Sequence, residues 1–176
     1  GGWAAFDRTK DRAWMDKVPF ADHNAMQDPS CADITGRTIE SLITCGVDRS
    51  HPAIRRAVEF LKREQCADGS WKGRWGVNYV YGAWQAVGGL AYAGESVREA
   101  YLQRTVDWLK SIQNEDGGFG ETADSYLDEA LKGMGPSTAS QTAWGVMTLM
   151  FLVGHEHEAV RRAIRWLEKA QLEKDA

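Results

Sequence analysis

One pattern recurs along this chain and constrains its fold more than any other feature. Aligned on a glutamine, Arg56-Ala57-Val58-x-Phe60-Leu61-x-x-x-Gln65, Arg104-Thr105-Val106-x-Trp108-Leu109-x-x-x-Gln113 and Arg162-Ala163-Ile164-x-Trp166-Leu167-x-x-x-Gln171 superimpose. A unit that repeats in this way cannot bury its apolar face alone, so neighbouring units stack and share a core. Asp68-Gly69-Ser70-Trp71 follows the first glutamine, and Asp116-Gly117-Gly118-Phe119 follows the second at the same offsets. Gly1-Gly2-Trp3 reads as the tail of an earlier copy, and the third copy stops after Gln171 before its turn. A length of 176 residues suits one domain. With repeats ending near 3, 71 and 119 and a last one cut after 171, the chain is instead expected to be part of a larger unit.

Each copy reads as an amphipathic helix. Val58, Leu61 and Gln65 fall at i, i+3 and i+7, with Ile54 and Ala57 on the same side. Ser50 is the expected N-cap with Pro52 just inside the helix, and Asp68-Gly69 supplies the turn that ends it. The glutamine closes the apolar stripe, where its amide is expected to bond carbonyls freed at its own helix end and to face the following indole. Less charged helices lie between the copies, at roughly 33–45, 79–93 and 137–153. The last carries no charge and is apolar nearly all round, as expected of a helix buried on every side. Charged helices alternating with apolar ones predict an all-α fold of helical hairpins in two layers, an arc of about three hairpins that does not close a ring. The connection 114–136 is longer than a compact bundle needs, which marks it as a candidate functional loop.

Composition narrows the function classes. A net charge of −4 with basic and acidic residues interleaved argues against nucleic acid as a partner. The apolar run at 142–153 is too short to cross a bilayer. Cys31, Cys45 and Cys66 are odd in number and form no C-x-x-C, so neither a disulfide framework nor a zinc site is indicated. His155-Glu156-His157 lacks metal-ligand spacing and reads as a solvated helix start. No phosphate-binding glycine loop or G-x-S-x-G nucleophile motif occurs. Neither a metal nor a cofactor is expected.

The helix ending in Gln, followed by Asp-Gly-x-Trp, resembles the QW motif of the cyclases acting on squalene and oxidosqualene. More specific are Pro19-Phe20-Ala21-Asp22-His23 with Asp28-Pro29, then Ala32-Asp33-Ile34-Thr35-Gly36-Arg37. They are joined by Gly73-Arg74-Trp75-Gly76-Val77-Asn78-Tyr79-x-Tyr81-Gly82 and Ser137-Thr138-Ala139-Ser140-Gln141-Thr142-Ala143-Trp144. As an ordered set these motifs resemble bacterial squalene-hopene cyclases along almost the whole chain. The resemblance implies an α/α-toroid around an apolar cavity, and an isomerase in which an Asp-x-Asp-Asp motif protonates squalene and carbocations close the rings. These 176 residues contain no Asp-x-Asp-Asp, so the chain alone is expected to be inactive. The family sits on the cytoplasmic side of the bacterial membrane through parts outside this segment. The segment itself is expected to be soluble or aggregation-prone, and open to self-association through its apolar inner faces.

The resemblance also assigns residues. By spacing alone, Asp33 and Arg37 are an acid favoured by a helix N-terminus and an i,i+4 surface pair. The family match makes Asp33 an acidic cavity residue, and makes Arg37 a cation bonded to an aspartate beside the proton donor. Tyr81 matches a tyrosine in the hydrogen-bonded network near that acid, Trp75 a cavity aromatic, and His23 a position lining the substrate. The 8 tryptophans then divide by role: Trp3 and Trp71 are staples, Trp108 and Trp166 share a helical slot, Trp14, Trp84 and Trp144 are packing residues, and Trp75 is left to contact a cation. Two other readings compete: a free-standing helical-repeat module binding an apolar ligand or partner, and another toroid enzyme such as an oxidosqualene cyclase or a protein prenyltransferase β-subunit.

Overall fold

The computed structural model describes residues 1–6, 14 and 27–172, with the backbone alone for Leu172. Among the described residues, six α-helices form three hairpins: α1 (Ala32–Thr44) with α2 (Pro52–Glu64), α3 (Tyr79–Ala93) with α4 (Ala100–Ile112), and α5 (Ala139–Val153) with α6 (Glu158–Leu172). The apolar helices α1, α3 and α5 make an inner layer in which α3 packs between the other two, while the amphipathic α2, α4 and α6 lie against it. This is an open arc of an all-α toroid, with no β-strand among the described residues.

The repeat is as regular in space as in sequence. Gly69 and Gly117 both take left-handed backbone, φ +97° and +94°. In each turn the preceding aspartate accepts from the amide two residues on, Ser70 N or Gly118 N, at 2.9 Å. Each glycine also lies against the next outer helix: a Cβ on Gly69 would meet the Arg104 carbonyl carbon at 2.5 Å, and one on Gly117 the Arg162 oxygen at 2.8 Å. Gly1 meets Arg56 in the same way at 2.5 Å. The repeated glycine is therefore where one copy's turn abuts the next copy's helix, and any side chain there would wedge the two apart.

The glutamine acts across this same junction, which departs from the expectation that it serves its own helix end. Gln65 Nε2 donates to Tyr101 O (2.8 Å) and Thr105 Oγ1 (3.1 Å) on α4 and to Gly69 O (3.1 Å), while its oxygen accepts from Arg104 at 2.7 Å. Gln113 repeats the arrangement toward Ala159 O and Gly117 O, both at 2.8 Å. The amide thus bonds the first-turn carbonyl of the neighbouring helix and the turn's own carbonyl. The indole takes that end instead: fully buried Trp71 donates Nε1–H to Leu61 O at 2.7 Å.

Other departures are local. The N-cap of α2 is His51 rather than Ser50, because the His51 Nδ1 reaches Ala53 N at 3.2 Å. His157 does the same for Ala159 N at the start of α6, and His155 pairs with Glu156. No two cysteines are bonded. Helix α5 is not buried on every side: Met150 and Phe151 are exposed and Trp144 is half-buried. Its uniform apolarity reflects one face in the core and another on the open inner side of the arc. Trp84 is likewise half-buried, so neither Trp84 nor Trp144 is the enclosed packing residue that apolar surroundings in sequence suggested. Trp14 is exposed as well.

Candidate functional site

The inner face carries an aromatic wall. Trp84 on α3 and Trp144 on α5 stack at 6.0 Å with planes 11° apart, and Tyr81 stands edge-on to both, at 6.0 and 5.1 Å. Beside them a pocket of about 370 Å³ opens between α1, α3 and α5, lined by Arg37, Trp84, Gly88, Met147, Met150 and Phe151. The glycines of the 73–82 stretch make room for this wall. A Cβ on Gly73 or Gly76 would meet the Tyr81 ring at 2.7 or 2.8 Å, and Gly82 lies directly against the Trp71 backbone.

Asp33 sits in the first turn of α1 and is almost fully buried, yet its carboxylate faces the irregular segment rather than Arg37. Its Oδ2 accepts from Arg74 N (2.9 Å) and Trp75 N (2.8 Å), and Oδ1 from Ile34 N (3.0 Å). Hydrogen bonds to a charged acceptor are worth about 1.5–3 kcal/mol each, against about 0–1 for an exposed ion pair. The amides therefore decide where Asp33 points. Arg37 turns outward to Glu40 (3.0 Å) and lies over Trp84, 5.0 Å from the ring centre. The expected i,i+4 pair is thus not formed.

Trp75 is held at three points. Its amide is on Asp33, its indole N–H donates to Asp28 Oδ2 at 3.1 Å, and its ring is perpendicular to Phe6 at 6.0 Å. Asp28 is fully buried and also accepts from Ala5 N and from the Arg74 guanidinium. Tyr81 is near enough to Asp33 to feel its charge. Burial first, then that charge, pushes the Tyr81 hydroxyl above its ordinary value, against the Gln85 hydrogen bond and the Arg37 charge. It therefore remains a protonated donor at neutral pH. His23 lies outside the described residues.

The 114–136 connection supplies residues that sequence reasoning missed. Glu121, nine-tenths buried, accepts from Asn78 N (3.2 Å) and Val80 N (3.0 Å) and so caps α3 from a distance. Asn78 donates to Ser125 Oγ at 3.1 Å, and Tyr126 donates to Gly76 O at 2.8 Å. Burial pushes the Tyr126 hydroxyl up to about 12, which keeps it a donor. On the other side, Gln141 donates to Val77 O at 2.5 Å. The only sequence signal for these contacts was the length of the loop.

Three inner helices, three amphipathic partners and an aromatic wall fed by a clamped loop define a helical-hairpin repeat domain built to line an apolar space. The family profile described as the squalene-hopene cyclase C-terminal domain matches residues 1–176, and the chain belongs to that family. It is 44% identical over 172 residues to a squalene–hopene cyclase of Zymomonas mobilis (97% of this chain, 26% of the relative). Against that of Alicyclobacillus acidocaldarius it is 45% identical over 171 residues (97% and 27%). Against a dammaradiene synthase of Dryopteris crassirhizoma it is 39% identical over 194 residues (97% and 28%). The chain spans about a quarter of the length of these relatives. The free-standing binding module is not favoured.

Proposed function

We propose that residues 1–176 form part of the catalytic toroid of a squalene-hopene cyclase, an isomerase that closes squalene to hopene through acid-initiated carbocations, without a cofactor; hopanol forms where water adds to the last cation and a proton is released. The observation that carries this reading is a family match along the whole chain that coincides with a buried-carboxylate clamp on an aromatic-bearing segment. A propagating carbocation needs aromatic faces to spread its charge and a wall that keeps water from quenching it. Trp75 supplies such a face, with His23 as a second substrate-lining residue. Tyr81 offers an O–H to the network around the acid, Asp33 holds the segment from which Trp75 is presented, and Arg37 supplies a cation that tunes the donor's acidity.

The proton donor is not among these roles. The sequence contains no Asp-x-Asp-Asp, so the 176 residues by themselves are expected to turn over nothing. Association with the cytoplasmic face of a membrane is proposed for the complete enzyme; no helix among the described residues is long and apolar enough to cross one.

The test is incubation of squalene with the complete gene product and, separately, with residues 1–176, followed by mass spectrometry. Pentacyclic products from the first and none from the second are expected. Recovery of squalene unchanged from a folded complete product would overturn the reading.

A further inference from the structure

The assigned roles leave Asp28 unused, although it is the most enclosed charge near the site. It has no solvent exposure and, among the described residues, meets three donors: the Ala5 amide (3.1 Å), the Arg74 guanidinium and the Trp75 indole N–H (3.1 Å). Burial of a carboxylate is costly unless its oxygens are bonded, so a chain that encloses Asp28 gains something from the arrangement. The neighbouring dipeptide shows what is held. Asp33 fixes the backbone of Arg74 and Trp75, and Asp28 fixes their side chains. Backbone and indole of Trp75 thus rest on two different carboxylates, with Phe6 perpendicular to the ring.

An indole N–H bonded to a carboxylate loses positive charge at its edge, and the π face becomes correspondingly more negative. A cation over that face is then held more strongly, because the attraction is electrostatic. The Arg74 guanidinium occupies the other oxygen, which leaves Oδ2 to the indole and the Ala5 amide.

We propose that Asp28 is a positioning residue that fixes the Trp75 ring and enriches its π face toward a cationic intermediate. The proposal rests on the cyclase reading above. It assigns Asp28 no contact with substrate: its effect passes through the indole N–H.

The test is a double-mutant cycle in the complete gene product, with kcat, KM and products measured on squalene. Asp28→Asn is expected to lower kcat on the order of tenfold with KM little changed, and to raise the share of partly cyclised products. In a Trp75→Phe background, which has no indole N–H, Asp28→Asn is expected to change kcat less than about twofold. Because Asp28→Asn could weaken folding through Arg74, a second variant leaves Asp28 intact. Replacing Trp75 with 3-benzothienylalanine, which substitutes sulfur for the N–H at nearly the same shape, is expected to reproduce the kcat loss with an unchanged melting temperature. The indole N–H band of Trp75 in ultraviolet resonance Raman spectra, assigned by its loss in Trp75→Phe, is expected to move toward weaker hydrogen bonding in Asp28→Asn. Multiplicative losses in the cycle, or full kcat in the benzothienyl variant, would overturn the role of Asp28 while leaving an active cyclase in place. A wild-type product unable to cyclise squalene would instead overturn the cyclase reading beneath it.

Discussion

The two whole copies of the repeat share a turn and then part ways. Through Asp68-Gly69-Ser70-Trp71 and Asp116-Gly117-Gly118-Phe119 they match in backbone sign, aspartate bond and abutment on the next outer helix. Beyond the turn, the first copy runs directly into Arg74-Trp75, clamped by Asp28 and Asp33. The second copy instead runs through Glu121 into two short 3₁₀ turns, Ala123–Tyr126 and Glu129–Leu131; Glu121 reaches back to Asn78 and Val80 of the first copy, and Ser125 and Tyr126 of the first turn to Asn78 and Gly76. Repetition thus builds the scaffold, while the candidate site comes from the segments that do not repeat. The first copy presents Arg74-Trp75, and the second braces the residues that follow them.

This division of labour can be broken at graded positions. The largest effect is expected where the copies are most alike. Gly69→Ala and Gly117→Ala combine a left-handed backbone with a collision against the next helix, and each should cost about 3 kcal/mol in chemical unfolding. Gly46→Ala has the same backbone sign, φ +92°, but open space around it, and should cost only about 1 kcal/mol. Equal losses at Gly46 and Gly69 would show that abutment between copies carries no weight.

Next come the staples, where the copies differ. Trp71→Phe removes the bond to Leu61 O and opens a cavity, at about 2 kcal/mol. Phe119→Trp should not return that amount, because the Phe119 ring packs against Gly145 so closely that even a Cβ there would meet it at 2.7 Å, and a larger ring overfills the site. Gln65→Leu should cost about 1–2 kcal/mol and more than Gln113→Leu, since Gln65 makes four bonds across its turn and junction, against two for Gln113.

The smallest effect is expected from acid. Burial raises the pKa of Asp68 and Asp116, but it is outweighed by Ser70 and Lys132 together at Asp68, and by Gly118, Ser137, Trp166 and Arg162 together at Asp116, which hold both below the ordinary 3.8. Their contribution is present above that value and is lost as pH falls through the lowered folded values. Unfolding midpoints should therefore decline mainly below about pH 4, and less steeply in Asp116→Asn.

The repeat, the six helices and the two turns were legible because 3.6-residue periodicity and the Asp-Gly pair are local signals. Periodicity says which side of a helix is apolar but not which neighbour meets it. The bonds of Gln65 to Tyr101 and Thr105, nearly forty residues away, were therefore assigned to the wrong helix end. The same blindness hid the open face of α5, since an apolar residue facing a cavity and one facing the core look alike in sequence. Asp33, Trp75 and Tyr81 were candidates from the sequence, but the turning of Asp33 away from Arg37 depends on amides forty residues distant. Glu121 gave no sign, because capping α3 from another segment leaves no mark at either position.

The central claim is that the irregular segment 73–78 and its junction with α3 are held as rigidly as a helix by side chains from three directions. Residue-resolved amide hydrogen exchange tests it without reference to activity. The amides of Arg74, Trp75, Asn78 and Val80, which donate to Asp33 and Glu121, are predicted to exchange as slowly as those inside α3. In Glu121→Ala, those of Asn78 and Val80 should lose that protection while the α4 interior keeps it. Rapid exchange of Arg74 and Trp75 in the unaltered protein, at the rate of the exposed 48–50 turn, would contradict it.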